Sequence, residues 1–187
     1  MIVFKPLTIM AAKPTPPIPP GPAFPSVQIG NQIWMSENLN IDDGGEGIVF
    51  KDSVMCNGYD LGPQTYYNWA AAVRVANSIS GWHLPSTSEW EELYNYMDSD
   101  GNDARSVYAW SGTQGNNSLG LNVLPVGRGE YPYVDSIQAR GDEANFWTSD
   151  ETSSNEAGAI FFYPGYIGNW GYGWYKLNAN SVRLIRD

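Results

Sequence analysis

Gly81-Trp82-His83-Leu84-Pro85-Ser86-Thr87-Ser88-Glu89-Trp90-Glu91-Glu92-Leu93-Tyr94-Asn95-Tyr96-Met97 is the stretch on which the fold class turns. Ser86 followed three residues later by Glu89 is a capping box: the serine hydroxyl accepts from the N3 amide, and the glutamate reaches back to the N-cap amide. Trp90, Leu93, Tyr94 and Met97 then recur at i, i+3, i+4 and i+7, one apolar stripe of an amphipathic helix. The acidic turn Asp98-Ser99-Asp100-Gly101-Asn102-Asp103 is where that helix is expected to end. Its glycine is misplaced for a calcium-binding helix–loop–helix, and no closing glutamate follows, so an ordinary turn is expected.

Upstream, Tyr66-Tyr67-Asn68-Trp69-Ala70-Ala71-Ala72-Val73-Arg74-Val75-Ala76-Asn77 is alanine-rich and free of Gly and Pro, a second helix with Trp69, Val73 and Ala76 on one face. Val27 and Ile29, the turn Gly30-Asn31, and then Ile33-Trp34-Met35 predict a hairpin. The loop Asp42-Asp43-Gly44-Gly45-Glu46-Gly47 has oxygen ligands but reads as a solvated turn. From about residue 105 onward no helix is predicted. Gly120–Gly129 carries a short strand and turns, and Asn145–Ser149 and Ala157–Tyr163 are two strands joined by a Ser/Asn/Glu turn. Helices in the first half and strands in the second predict an α+β fold with a small antiparallel sheet.

The C-terminal segment begins Gly168-Asn169-Trp170-Gly171-Tyr172-Gly173-Trp174-Tyr175. Rings separated by Gly and Asn have neither apolar period, so no core strand or helix is expected there. Rigid, amphipathic rings on adaptable backbone suit a binding surface. Tyr163, Tyr166, Asn169, Trp170, Tyr172, Trp174 and Tyr175 are the candidate ligand-binding residues. The alternative is an aromatic loop folded back on its own domain. Val182 and Leu184 alternate with Arg183 and Arg186, predicting a half-buried closing strand.

Eight Trp and twelve Tyr in 187 residues, with 20 Gly and 13 Pro, suggest an aromatic core and long loops. A formal charge of −10 repels phosphate backbones, so nucleic acid is not an expected partner. Cys56, the single cysteine, excludes an intramolecular disulfide and a Cys-based zinc site. Neither Cys56 nor the one histidine, His83, stands in a context that activates a nucleophile; a packed thiol and a hydrogen-bonded structural histidine are expected. Glu89 is taken by its cap, no other acid–base set emerges, and neither catalytic residues, metal nor cofactor is expected.

Residues 1–25 read as a separate unit. Pro14 to Pro25 is polyproline-like extended chain. Ile2, Val3, Phe4, Leu7, Ile9 and Met10 ahead of it form an apolar tip able to dock on a partner, so the chain divides into a proline-rich anchoring arm (1–25) and a domain (26–187). The start is not read as a signal peptide, since its charge is misplaced and Pro6 interrupts a short apolar run. No stretch approaches the roughly 20 apolar residues of a membrane span.

Several landmarks, taken in order, resemble one family. They are Trp34-Met35-Ser36-Glu37-Asn38-Leu39-Asn40; Gly81-Trp82-His83-Leu84-Pro85-Ser86 with Glu89-Trp90 and Leu93; Leu124-Pro125 with Gly127; Phe146-Trp147-Thr148-Ser149; and Ser181-Val182-Arg183. Together they look like the Fibrobacter succinogenes major paralogous domain, over about residues 27–187. The resemblance implies a C-type lectin-like fold: two helices, a small sheet whose terminal strands pair, and long loops that present ligand contacts. It also implies an extracellular setting, but no defined activity. Asn77-Ser78-Ile79-Ser80 stands where the family often has Cys-Pro. The Glu-Pro-Asn and Trp-Asn-Asp triplets of calcium-dependent lectins are missing, so calcium-dependent sugar binding is not expected. Sulfatase-modifying relatives of the broad fold use paired cysteines or copper, which one cysteine does not support. The segment from Gly168 to Arg186 is similar to the C-terminal segments of retroelement-diversified variable proteins of gut bacteria and their phages.

The expectation is a non-enzymatic binding protein on the outside of a larger assembly, a phage virion accessory protein of head or tail-fibre type. Residues 1–25 would hold other structural proteins, and the aromatic segment would meet host-surface glycan or protein. The alternative is a bacterial cell-surface or extracellular module; homo-oligomerisation stays open.

Overall fold

A computed structural model describes residues 24–47, 49–97, 100–168 and 172–187. The six apolar arm residues Ile2 to Met10 therefore lie outside the described residues, as do Asn169 and Trp170. In chain order the elements are β1 (Ser26–Ile29), β2 (Gln32–Met35), β3 (Val49–Cys56), β4 (Tyr59–Tyr67), α1 (Trp69–Asn77), β5 (Trp82–His83) and α2 (Thr87–Tyr94). They continue with β6 (Arg128–Glu130), β7 (Tyr133–Gln138), β8 (Ala144–Glu151), β9 (Glu156–Tyr163), β10 (Tyr166–Gly168), β11 (Gly173–Tyr175) and β12 (Ile185–Arg186). Two helices and several small antiparallel sheets make the described part an α+β structure.

The capping box forms as the sequence predicts. Ser86 Oγ accepts from Glu89 N, and Glu89 Oε2 accepts from Ser86 N at 2.7 Å. Asp150 Oδ2 accepts a further amide, Thr87 N, so two carboxylates meet the positive end of α2. The helix stops at Tyr94, earlier than the acidic turn, and Met97 lies beyond it. Helix α1 starts at Trp69, because Asn68 caps it by accepting from Ala71 N; Tyr66 and Tyr67 belong to β4. Its buried face is Ala71, Ala72, Val75 and Ala76, with Trp69 and Val73 only partly covered. The small side chains bring the helix backbone close to its neighbours.

The first sheet has the order β1-β2-β12-β5, which places the last strand between strands from the first half of the chain. Met35 N donates to Leu184 O at 3.0 Å and Leu39 N to Val182 O at 2.8 Å. Gly30 turns the first hairpin at φ +58°, and a Cβ there would collide with the Tyr96 hydroxyl. The second sheet is built on β9, with β8 along one side and β10 and β11 along the other. Phe161, Ala159 and Ala157 face α1; Ile160 and Phe162 face α2. Trp34, Trp90 and Phe146 stack between α2 and this sheet, with ring centroids 4.6 and 5.4 Å apart. The β3–β4 hairpin turns on Asn57-Gly58, both at positive φ, and covers a third cluster that includes Val54, Tyr66 and Val126.

The closing segment departs from its half-buried pattern. Ser181 to Ile185 are all buried, Arg183 included at 0% exposure. Its guanidinium donates to Met35 O (2.9 Å), Leu121 O (2.6 Å), Asn122 O (3.1 Å) and Asn38 Oδ1 (2.8 Å), and lies 5.6 Å from the Phe146 ring centre. Burial pushes its pKa down to about 9, and the Glu37 carboxylate works against that. The group stays charged at neutral pH. It ties the end of β2 and the loop after it, the 121–122 turn and the closing segment to one centre.

Candidate functional site

Residues 173–175 form a strand, where the sequence reading expects none. β11 pairs with the first half of β9: Gly173 opposite Gly158, Trp174 opposite Ala157, Tyr175 opposite Glu156. A Cβ at 173 would come within 2.7 Å of Glu156 Cβ, so glycine lets β11 lie close against β9 there. Trp174 and Tyr175, consecutive on β11, point to opposite faces and serve two different aromatic clusters.

Trp174 joins a row across the sheet. Its ring meets Phe161 edge-on at 5.1 Å; Phe161 lies 6.4 Å from Tyr163, and Tyr163 6.0 Å from Tyr166. Arg128 stacks over Trp174 at 5.6 Å and is itself held by Glu130 and Glu143. Trp174 and Tyr163 are half-buried, while Tyr166 is 57% exposed and Tyr172 76%. Burial raises the Tyr163 phenol; Arg128 opposes that rise and Tyr166 adds to it. The row is anchored at its Trp174 end and open at its Tyr166 end.

Tyr175 forms the second cluster with Tyr131, rings 5.7 Å apart and edge-on. Tyr131 is held by its own amide, which donates to Asn178 Oδ1 at 2.9 Å. With Tyr133, which is 70% exposed, it comes from the β6–β7 hairpin. Tyr175 also lines a recess of about 290 Å³, together with Trp69, Asn155 and Lys176 among others.

Of the residues expected from sequence, Tyr163, Tyr166, Tyr172, Trp174 and Tyr175 come together around one sheet, and Tyr131, Tyr133, Trp69 and Lys176, which the sequence reading does not single out, lie near them. The stretch Gly127-Arg128-Gly129-Glu130-Tyr131-Pro132-Tyr133 has the same ring-and-glycine composition as the C-terminal segment, which was the available signal. Trp69 carried no such signal, because helix periodicity assigned it to the core.

Three other places hold titratable or polar side chains in hydrogen bonds within the chain. His83 bridges Glu89 Oε1 (2.8 Å) and Asp187 Oδ1 (2.7 Å), one carboxylate on each ring nitrogen. Partial burial disfavours the imidazolium, but the two carboxylates outweigh it and raise the pKa above the ordinary value. For Glu89 burial acts upward, while the Ser86 amide, His83 and the Ser86 hydroxyl together hold the carboxyl below its usual range. A polar groove of about 320 Å³ includes Asn38, Asn40 and Gln64. Asn38 donates to Gln64 Oε1 at 3.1 Å while accepting from Arg183, and Asn40 accepts from the Thr65 hydroxyl. Cys56 is buried, its Sγ 3.1 Å from Ala109 O; burial, and secondarily the Asp142 charge, pushes the thiol up. No group of three or more His, Cys, Asp or Glu with metal-binding geometry occurs among the described residues. No described helix is long and apolar enough to cross a membrane.

A small α+β domain with its last strand inserted into its first sheet, and exposed rings on its second, is the class these observations define. The chain belongs to the Fibrobacter succinogenes major domain family, whose model matches residues 27–186. No curated protein and no solved structure matches the chain.

Proposed function

We propose that this is a non-enzymatic binding and display protein with a C-type lectin-like domain, meeting a glycan or protein on a host surface through the rings around β9–β11. One observation carries the reading: Tyr131, Tyr133, Tyr166, Tyr172 and Tyr175 are all exposed, yet Tyr133, Tyr166 and Tyr175 lie on hydrogen-bonded strands and Tyr131 and Tyr172 directly beside them. Exposed tyrosines on a preformed base supply contact area at small entropic loss. His83 is engaged by capping and strand closure, and Cys56 by packing, which supports a non-catalytic reading.

The setting follows from the arm. A proline-stiffened segment with an apolar tip suits docking onto a particle, and a virion surface is the setting proposed, with Ile2, Val3, Phe4, Leu7, Ile9 and Met10 as the anchor. The extracellular habit of the family supports a second setting, the bacterial cell surface. Deleting residues 1–25 is expected to leave the domain folded and abolish assembly; unchanged assembly removes the anchoring role.

The binding site is tested by adherence to host cells with Tyr166→Ala, Trp170→Ala and Tyr172→Ala. Each is expected to lower adherence at least about tenfold, the loss of roughly 1.4 kcal/mol that a well-placed ring carries. Wild-type adherence by all three removes these residues from the site.

A further inference from the structure

The recess beside Tyr175 has chemistry that the exposed rings lack. Trp69 stands at the start of α1, its ring fixed because Nε1 donates to Thr148 O at 2.9 Å. Lys176 Nζ lies 4.6 Å from the Trp69 ring centre. That ammonium has three donors, and three acceptors take them: the Glu151 carboxylate, Ser153 O (2.8 Å) and Ser154 O (3.2 Å). It keeps its charge near the recess but has no N–H left for an incoming anion. Asn155 and Ser154 add an amide and a hydroxyl to the lining.

We infer that this recess is a subsite for one uncharged sugar ring at the end of a glycan, resting on the proposal above that the neighbouring rings bind a host-surface ligand. A pyranose has one face of C–H bonds and a rim of hydroxyls. The C–H face suits the Trp69 and Tyr175 rings; the hydroxyls suit groups such as Asn155 that both donate and accept. The volume, about 290 Å³, lies at the lower edge of the roughly 300–1,000 Å³ typical of small-molecule sites, which fits one ring and not a chain. The rest of the glycan would leave over Tyr175 toward Tyr131, 5.7 Å away. Acidic sugars are disfavoured, because the one nearby cation is saturated, Glu151 and Glu156 are exposed, and the chain carries −10.

The test uses the full chain, isotope-labelled, titrated with the methyl glycosides of glucose, galactose, mannose and N-acetylglucosamine, and with glucuronic acid as the charged control. The Trp69 indole N–H and the Asn155 side-chain amide are followed by NMR. At least one neutral glycoside should shift both signals saturably, and glucuronic acid should bind at least about tenfold more weakly. Asn155→Ala, a change on an exposed turn, should weaken the neutral glycoside several-fold while leaving the rest of the spectrum in place. Failure of all four glycosides at concentrations that saturate a millimolar binder overturns the subsite, as does equal binding of glucuronic acid. The two proposals fail separately. If the glycosides fail but Tyr166→Ala still lowers adherence, the exposed rings bind without this subsite. If they shift Trp69 while adherence ignores Tyr166→Ala and Tyr172→Ala, the subsite stands and the wider surface falls.

Discussion

The segments 172–175 and 181–185 lie a few residues apart and are treated by the fold in opposite ways. The first is ring-rich, yet Tyr172 and Tyr175 are exposed; the second contains an arginine, yet all five residues are buried. Residue type does not separate them; partners do. Four acceptors surround Arg183 at hydrogen-bonding distance, so its desolvation is compensated. Tyr172 and Tyr175 lie at the margin of the second sheet, 76% and 40% exposed, with the Tyr131 ring against Tyr175. Under the proposed function, the buried charge at the centre belongs to structure and the exposed rings at the margin to recognition.

The strongest break in this contrast is Arg183→Ala. It strands three carbonyls and the Asn38 amide oxygen without their donor, and is expected to lower unfolding free energy by about 3–5 kcal/mol in urea denaturation. A loss below about 1 kcal/mol would mean that the arginine is not the centre of the seam. Trp90→Ala is expected to cost a comparable ~3–5 kcal/mol, since it empties the layer between Trp34 and Phe146.

His83 gives a smaller, pH-dependent effect. Its raised pKa stabilises the fold fully below the ordinary value of 6.5, and the contribution fades as pH rises through the raised value. Glu89 has a lowered pKa, so its contribution is present above its ordinary 4.5 and fades as pH falls through the lowered value. The difference in melting temperature between wild type and His83→Gln should thus be widest between about pH 4.5 and 6.5 and narrow toward alkaline pH. The bridge is partly exposed, so the gain should not exceed about 1 kcal/mol. A difference that is flat with pH would show that folding leaves the His83 pKa at its unfolded value.

The smallest stability effects belong to the rings themselves. Tyr166→Ala and Tyr172→Ala are expected to change stability by less than about 0.5 kcal/mol. A large loss in either would move that ring from the recognition side of the comparison to the structural side.

The parts of the fold that were legible in sequence are those set by local chemistry. The Ser86–Glu89 box, the Gly30-Asn31 turn and the β8–β9 pair each carry their signal within a few residues. The Asn57-Gly58 hairpin was legible in principle, being a two-residue turn of the right type, but its flanks Met55-Cys56 and Tyr59-Asp60 hide the alternation. Arg183 was misread because an alternating pattern assumes water on one face. Here both faces are covered, by β2 and its loop on one side and by Phe146 on the other. In the candidate site, exposed rings could be listed from composition, whereas Trp69 and Lys176 could not. They stand more than 100 residues apart in sequence and meet only through the fold.

Because β12 sits between β2 and β5, the opening sheet is unfinished until residues 182–186 arrive. A nascent chain leaving the ribosome would hold Trp34, Trp82 and Leu84 without their final cover through most of translation. Completion of this domain's core therefore waits for residues 182–186, and its exposure to chaperones lasts until they have emerged.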